Sequence, residues 1–219
     1  MNTSKTHIYL VPGLAASPKI FEFLQFSSNV FELHYLEWLL PLSEKESLES
    51  YSKRMANLVV EDNPVLIGVS FGGILVQEMS KFLNPKKVII ISSIKSKNEL
   101  PKHLKIIQKT KAYKLFPTKN ISTLEDFAIF VFGSSAKKRV KLYKEYLSVR
   151  NKLYLTWALY QVLNWQQEEP LKNVLHIHGD EDLIFPIKYI QNCILVKKGT
   201  HVMVLNKAKS ISKIIEEAI

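Results

Sequence analysis

Unbroken apolar runs set the first limit on what this chain can fold into. HIYLV (7–11), PVLIGV (64–69), KVIIISSI (87–94) and NVLHIH (173–178) are short, rich in β-branched residues and show no polar alternation. A strand with one wet face alternates, whereas a strand covered on both faces does not, so these four read as central strands of a parallel sheet. FELHYLEW (31–38) and CILVKK (193–198) are weaker strand candidates. Helical signals lie between the runs. Ser17-Pro18 offers an N-cap with proline at the first helical position. Ser43 and Glu46 are spaced as a capping box ahead of Leu48, Tyr51, Met55 and Leu58, one helical face. FGGILVQEMSKFL follows the second run, and NKAKSISKIIEEAI closes the sequence. Strand alternating with helix predicts an α/β fold, a doubly wound and mostly parallel sheet of about six strands.

The alternation stops between about 95 and 170, where the pattern turns helical, basic and aromatic. This stretch is expected to be a helical cap inserted into a core made of 1–94 and 171–219. Charge marks the same stretch. Residues 95–152 carry 15 Lys+Arg against Glu99, Glu125, Asp126 and Glu145, a balance of +11, while the whole chain stands at +10. The rest of the chain is therefore close to neutral. With 219 residues the chain can bury roughly 70% of its unfolded surface and needs no disulfide. Its single cysteine, Cys193, allows no internal disulfide and fits a reducing compartment. The start, MNTSKTHIYLVPGLAAS, has one lysine and only five apolar residues before Pro-Gly, unlike a signal peptide. LYLTWALYQVL is too short to span a membrane. A cytoplasmic location is expected.

Glycine is scarce, and its placement is informative. Of seven glycines, three surround one serine in GVSFGG (68–73). Gly68-Val69-Ser70-Phe71-Gly72 fits G-x-S-x-G between a buried strand and an amphipathic helix. A serine on that sharp turn presents its hydroxyl at the carboxyl edge of the sheet, beside a helix N-terminus that favours a developing anion. Gly13, Gly179 and Gly199 fall in VPGLAAS, HGDEDLIFP and KGTHVMV, the loops that end other strands. Ligands of open parallel sheets bind at that edge. A serine hydroxyl needs a base, and the base an orienting group. His201 follows the last strand, and Asp180 and Asp182 are the acidic candidates before it.

The order VPGL, GVSFGG, HGDED…P, GTH resembles the α/β-hydrolase fold in its smaller, capped-esterase form, over nearly all of the chain outside 95–170. The resemblance implies Ser70 as nucleophile, Asp182 as acid, His201 as base, and the backbone N–H groups of Leu14 and Phe71 as oxyanion hole. Pro12-Gly13 stands where many relatives have His-Gly, which leaves backbone donors untouched. The sheet is expected to lack the family's usual first two strands. Asp180 is expected to cap its turn, and Trp157, Tyr160 and Trp165 to contribute to an acyl pocket wall. No cofactor or metal is expected.

The leading reading is a serine hydrolase of the carboxylesterase or thioesterase type, acting on a small-to-medium acyl substrate through an acyl-enzyme. A catalytically weak, receptor-like protein on the same fold is the alternative. His176, His178 and Asp180 imitate part of an H-x-H-x-D-H zinc signature, but position 181 is Glu and the motif comes late. Nucleic acid is not expected as a partner: lysines outnumber arginines 13 to 2 in the basic stretch and no reader motif is present. That stretch has two readings, a solvated face or attraction of an anionic substrate.

Overall fold

All six strands run in one direction. The computed structural model describes residues 5–111 and 145–219. Its sheet has the order β2-β1-β3-β4-β5-β6, with β1 at Thr6–Val11, β2 at Phe31–Tyr35 and β3 at Val65–Val69. β4 spans Lys87–Ile91, β5 Val174–Gly179 and β6 Ile194–Val196. The order reverses between β1 and β3, so the loops leaving these neighbours diverge to opposite sides and open a crevice at the carboxyl edge. β3 is buried along its whole length and β4 at four of its five positions, as their unbroken apolar sequence requires. β4 stops at Ile91 rather than running to 94, because Ser92 turns the chain at φ 49°.

Helix α1 (Leu48–Ala56) buries Leu48, Tyr51, Met55 and Ala56. Its start differs from the expected box. Ser47 is the N-cap and accepts from the Ser50 N–H at 3.1 Å. Glu46 is drawn away by other donors: it accepts from the Leu42 N–H at 2.7 Å and from Arg54 Nε at 2.9 Å and Nη2 at 3.0 Å. Ser17-Pro18 opens a single 3-10 turn, Pro18–Phe21, without a side-chain cap bond. Helix α2 (Phe71–Met79) leaves the end of β3 and is buried at every position.

Within 95–170, the described elements are a 3-10 turn (Lys97–Glu99), α3 (Lys102–Thr110) and α4 (Lys152–Asn164). Residues 112–144, with seven of the fifteen basic residues of the charged stretch, lie outside the described residues. Helices α5 (Met203–Asn206) and α6 (Ala208–Ala218) complete the described chain. Among the described residues no helix is long and apolar enough to cross a membrane.

Candidate active site

The turn from β3 into α2 determines where Ser70 stands. Its backbone is strained, with φ 54° and ψ −118°, a conformation that costs of order 1–3 kcal/mol and persists only when surrounding contacts enforce it. The Ser70 N–H donates to the Ile91 carbonyl at 2.9 Å, and Ser93 Oγ–H donates to the Ser70 carbonyl at 2.7 Å. Glycine makes the turn possible. A Cβ on Gly68 would stand 2.1 Å from the Gly72 carbonyl oxygen, so strand and helix could not close this tightly around any other residue.

A second glycine contact joins two loops far apart in sequence. Gly179, ending β5, packs against Gly199 after β6, where a Cβ on Gly179 would lie 2.2 Å from the Gly199 oxygen. The Glu181 N–H donates to that same oxygen at 2.9 Å. This contact brings Asp182 beside His201. His201 Nδ1–H donates to Asp182 Oδ2 at 2.9 Å, which leaves Nε2 as the acceptor for Ser70 Oγ–H, also at 2.9 Å. Asp182 Oδ1 accepts from the Ile184 and Phe185 N–H groups at 2.8 and 3.0 Å. Burial pushes the Asp182 carboxyl upward, but the neighbouring His201 imidazole, then His178 and the Phe185 N–H, outweigh it and hold the group below its ordinary value. Asp182 is 2% exposed. A carboxylate kept ionised there can orient the imidazole and stabilise its charged form.

Asp180 is exposed, and among the described residues its carboxyl makes no hydrogen bond, contrary to the expected turn cap. Asp182 caps the following turn, 182–185, through the Ile184 and Phe185 N–H groups. His176 and His178 form an internal chain rather than a metal site. His178 Nε2–H donates to the Phe185 carbonyl at 2.8 Å, and its Nδ1 accepts from His176 Nε2–H at 3.1 Å. This bonding braces the segment that carries Asp182. Burial holds both imidazoles below their ordinary pKa.

The loop after β1 faces Ser70. Leu14 and Phe71 both border the cavity at Ser70, and no backbone hydrogen bond among the described residues uses their N–H groups. Donors left free at a helix start and a neighbouring turn can meet an oxyanion. Ala15, at φ 62°, is held in that turn by the Ser148 and Val149 N–H groups, which donate to its carbonyl at 3.0 and 3.1 Å. Trp38 Nε1–H donates to the Gly13 carbonyl at 3.1 Å.

Above Ser70 lies a cavity of about 110 Å³. Helix α3 contributes Leu104 and Ile107 to its wall, and α4 contributes Leu159, Val162 and Leu163. Apart from Ser70 and His201 its described lining is apolar but for the Tyr146 side chain, and it includes no lysine, arginine or carboxylate. The three expected aromatics are elsewhere. Trp157, Tyr160 and Trp165 border a separate polar hollow with Glu78 and Lys81. Trp157 is fully buried, donates from Nε1 to the Glu46 carbonyl at 2.8 Å and packs edge-on to Phe71 at 5.9 Å. It packs beneath Phe71 at the start of α2 and does not wall the cavity. Trp165 donates to Glu78 Oε1 at 2.8 Å.

No family model matches the sequence, and no curated protein matches it. Solved structures do match over nearly full length. A hydrolase from Pseudomonas aeruginosa superposes with a TM-score of 0.70 at 12% identity, covering 98% of this chain and 89% of that one. A thermophilic esterase from Thermogutta terrifontis gives 0.67 at 11%, covering 99% and 90%. A lipase-esterase related protein from Clostridium acetobutylicum gives 0.63 at 18%, covering 100% and 96%.

Proposed function

On the premise that this chain has the α/β-hydrolase fold, we propose that it is a serine hydrolase cleaving esters or thioesters of a short apolar acyl group. The observation that carries the reading is the unbroken line of hydrogen bonds Ser70–His201–Asp182 opening into an apolar cavity. In this reading Ser70 Oγ attacks the acyl carbonyl carbon while His201 Nε2 takes the hydroxyl proton. The carbonyl oxygen becomes an anion between the Leu14 and Phe71 N–H groups. Asp182 stabilises the imidazolium, which then gives its proton to the departing alcohol or thiol. A water repeats the sequence on the acyl-enzyme, releasing the acid and restoring Ser70. A ligand-binding role alone would leave the strained serine turn and the oriented imidazole unused.

The cavity argues for acyl size and polarity. A protein cavity of ~150 Å³ accommodates benzene, so a slightly smaller one suits an acyl chain of about four to six carbons. Among the described residues the wall offers no cation to a carboxylated chain. The described basic residues of 95–152 do not line the cavity and would act only at longer range, as steering that salt weakens. Residues 95–170, read as a cap, supply the helical side of the pocket through α3 and α4. The test is kcat/KM across p-nitrophenyl and thioester substrates of increasing chain length. The expected profile rises about fourfold per methylene from acetyl to a maximum near butyryl or hexanoyl, since a buried methylene is worth ~0.8 kcal/mol, and falls for lauroyl. A flat profile, or a preference for dicarboxylic half-esters, would contradict the acyl assignment.

A further inference from the structure

At the open edge of the sheet, on strands β1 and β2 and away from the catalytic loops, three metal-ligating side chains converge. β1 and β2 pair in parallel with His7 opposite Glu32 and Tyr9 opposite His34. Side chains of strand neighbours and of residues two apart share a face, so His7, Glu32 and His34 all project from one side of the sheet. Their ligand atoms lie within 4.8 Å of one another. His7 Nδ1 and His34 Nε2 point at each other across 2.9 Å. Behind this pair, the other nitrogen of His7, Nε2, lies 3.9 Å from Glu61 Oε2. His34 is stacked on Tyr9 with ring centroids 4.4 Å apart, which restrains its ring. Glu32 is exposed, and both histidines are half-buried.

We propose that His7 Nδ1, His34 Nε2 and a Glu32 carboxylate oxygen form a binding site for a divalent transition metal of the zinc class. Two imidazoles and a carboxylate are an N,N,O donor set suited to zinc, nickel, copper or cobalt and poor for calcium or magnesium. Tetrahedral zinc needs ligand nitrogens a little over 3 Å apart, so the two rings need only a small outward turn to admit the ion (about 2.0–2.1 Å from each nitrogen). Glu61 places a negative charge 3.9 Å behind His7 Nε2, near enough to close to a hydrogen bond when the ring turns toward an ion. A carboxylate behind a ligating imidazole favours the tautomer protonated away from the metal and raises the ligand's basicity. Without an ion one facing nitrogen donates its proton to the other across 2.9 Å; metal binding displaces that proton, so that both facing nitrogens present lone pairs to the ion. Water completes the coordination from the solvent side, where Glu32 is open. The ion would tie strand β2 to β1, at a sheet margin where no further strand pairs among the described residues. This site is independent of the hydrolase reading.

The experiment titrates zinc chloride into the EDTA-treated, dialysed full-length protein, followed by calorimetry and by thermal melting. One equivalent is expected to bind in the micromolar range. At a hundredfold excess over Kd the melting temperature should rise by about 5 °C or more. His7→Ala and His34→Ala should each weaken binding at least tenfold and abolish the rise, while His201→Ala should bind zinc as the parent does. Because His34→Ala also removes packing on Tyr9, two further variants keep the test decisive. Glu32→Gln alters only an exposed side chain and should weaken binding several-fold. Glu61→Gln, which removes the charge behind His7, should weaken it by a smaller factor than Glu32→Gln. Absence of a saturable equivalent would overturn the site, as would zinc binding that survives Glu32→Gln and His7→Ala unchanged or disappears with His201→Ala.

Discussion

The loops at the carboxyl edge of the sheet and the helices that cover them were built under different constraints. In the loops, backbone meets backbone: Gly68 against Gly72, and Gly179 against Gly199, at distances no Cβ would tolerate. Side-chain geometry there follows from the main chain, and Ser70, His201 and Asp182 stand within 2.9 Å hydrogen bonds of one another. In α3 and α4, contact is side chain on side chain, and Leu104, Ile107, Leu159 and Leu163 cluster as interchangeable apolar bulk. The first arrangement tolerates almost no substitution. The second can change shape while the fold stands, and on the proposed function it is where substrate choice would be set.

The largest expected effect lies in the loops. Asp182→Asn should lower kcat for a butyryl ester by ~10³ or more, whereas Asp180→Asn should leave it within about twofold. Steady-state kinetics on folded variants separates them. Equal losses would break the distinction drawn between a buried orienting carboxylate and an exposed one.

Acid should expose the loops' dependence on buried neutral histidines. Burial lowers the pKa of both His176 and His178 from 6.5 in the folded chain. The unfolded chain therefore binds more protons below that value, and stability must fall as pH drops under 6.5, by at most about 2.7 kcal/mol per pH unit for two protons. Asp182 acts in a separate window. Its carboxyl is held below 3.8, so its contribution is present above 3.8 and is lost only as pH falls through the lower folded value. Urea unfolding at pH 7.5 and 5.5 reads the histidine effect, and His176→Gln should remove about half of the slope.

Smaller effects are expected in the cover, and they should divide by face. Val162→Trp fills the cavity, and is expected to cut kcat/KM for hexanoyl esters about tenfold or more while sparing acetyl. Trp157→Phe removes the hydrogen bond to Glu46 and should cost about 1 kcal/mol of stability, with the acyl-length profile unchanged. An altered profile in Trp157→Phe would return that residue to the pocket wall.

The same contrast explains what could be read from the amino-acid order. The four central strands were legible because strands covered on both faces are continuous and β-branched, the edge strands β2 and β6 only weakly because they are partly exposed, and the serine turn because glycine is rare elsewhere in the chain. The strand ends were less so: nothing in KVIIISSI marks Ser92 as the residue that turns. Helix α4 misled because LYLTWALYQVL is apolar all round, so periodicity does not tell the face of Leu159, Val162 and Leu163 from that of Trp157 and Tyr160. The aromatic residues drew attention by size, but tertiary packing set Trp157 beneath Phe71 and Tyr160 and Trp165 along the separate hollow. The i, i+3 spacing of Leu104 and Ile107 on α3 was the one available signal for the wall. His7, Glu32 and His34 were invisible because their proximity depends on the register of two strands that sequence does not specify.

The central claim is that Ser70 is a nucleophile activated by His201, and covalent labelling tests it most directly. A fluorophosphonate probe should modify the native protein at one site, and peptide mapping should place the adduct on Ser70. Ser70→Ala should abolish labelling, and His201→Ala should slow it by ~10³ or more. Labelling that persists in Ser70→Ala, or an adduct mapped to another residue, would contradict the account.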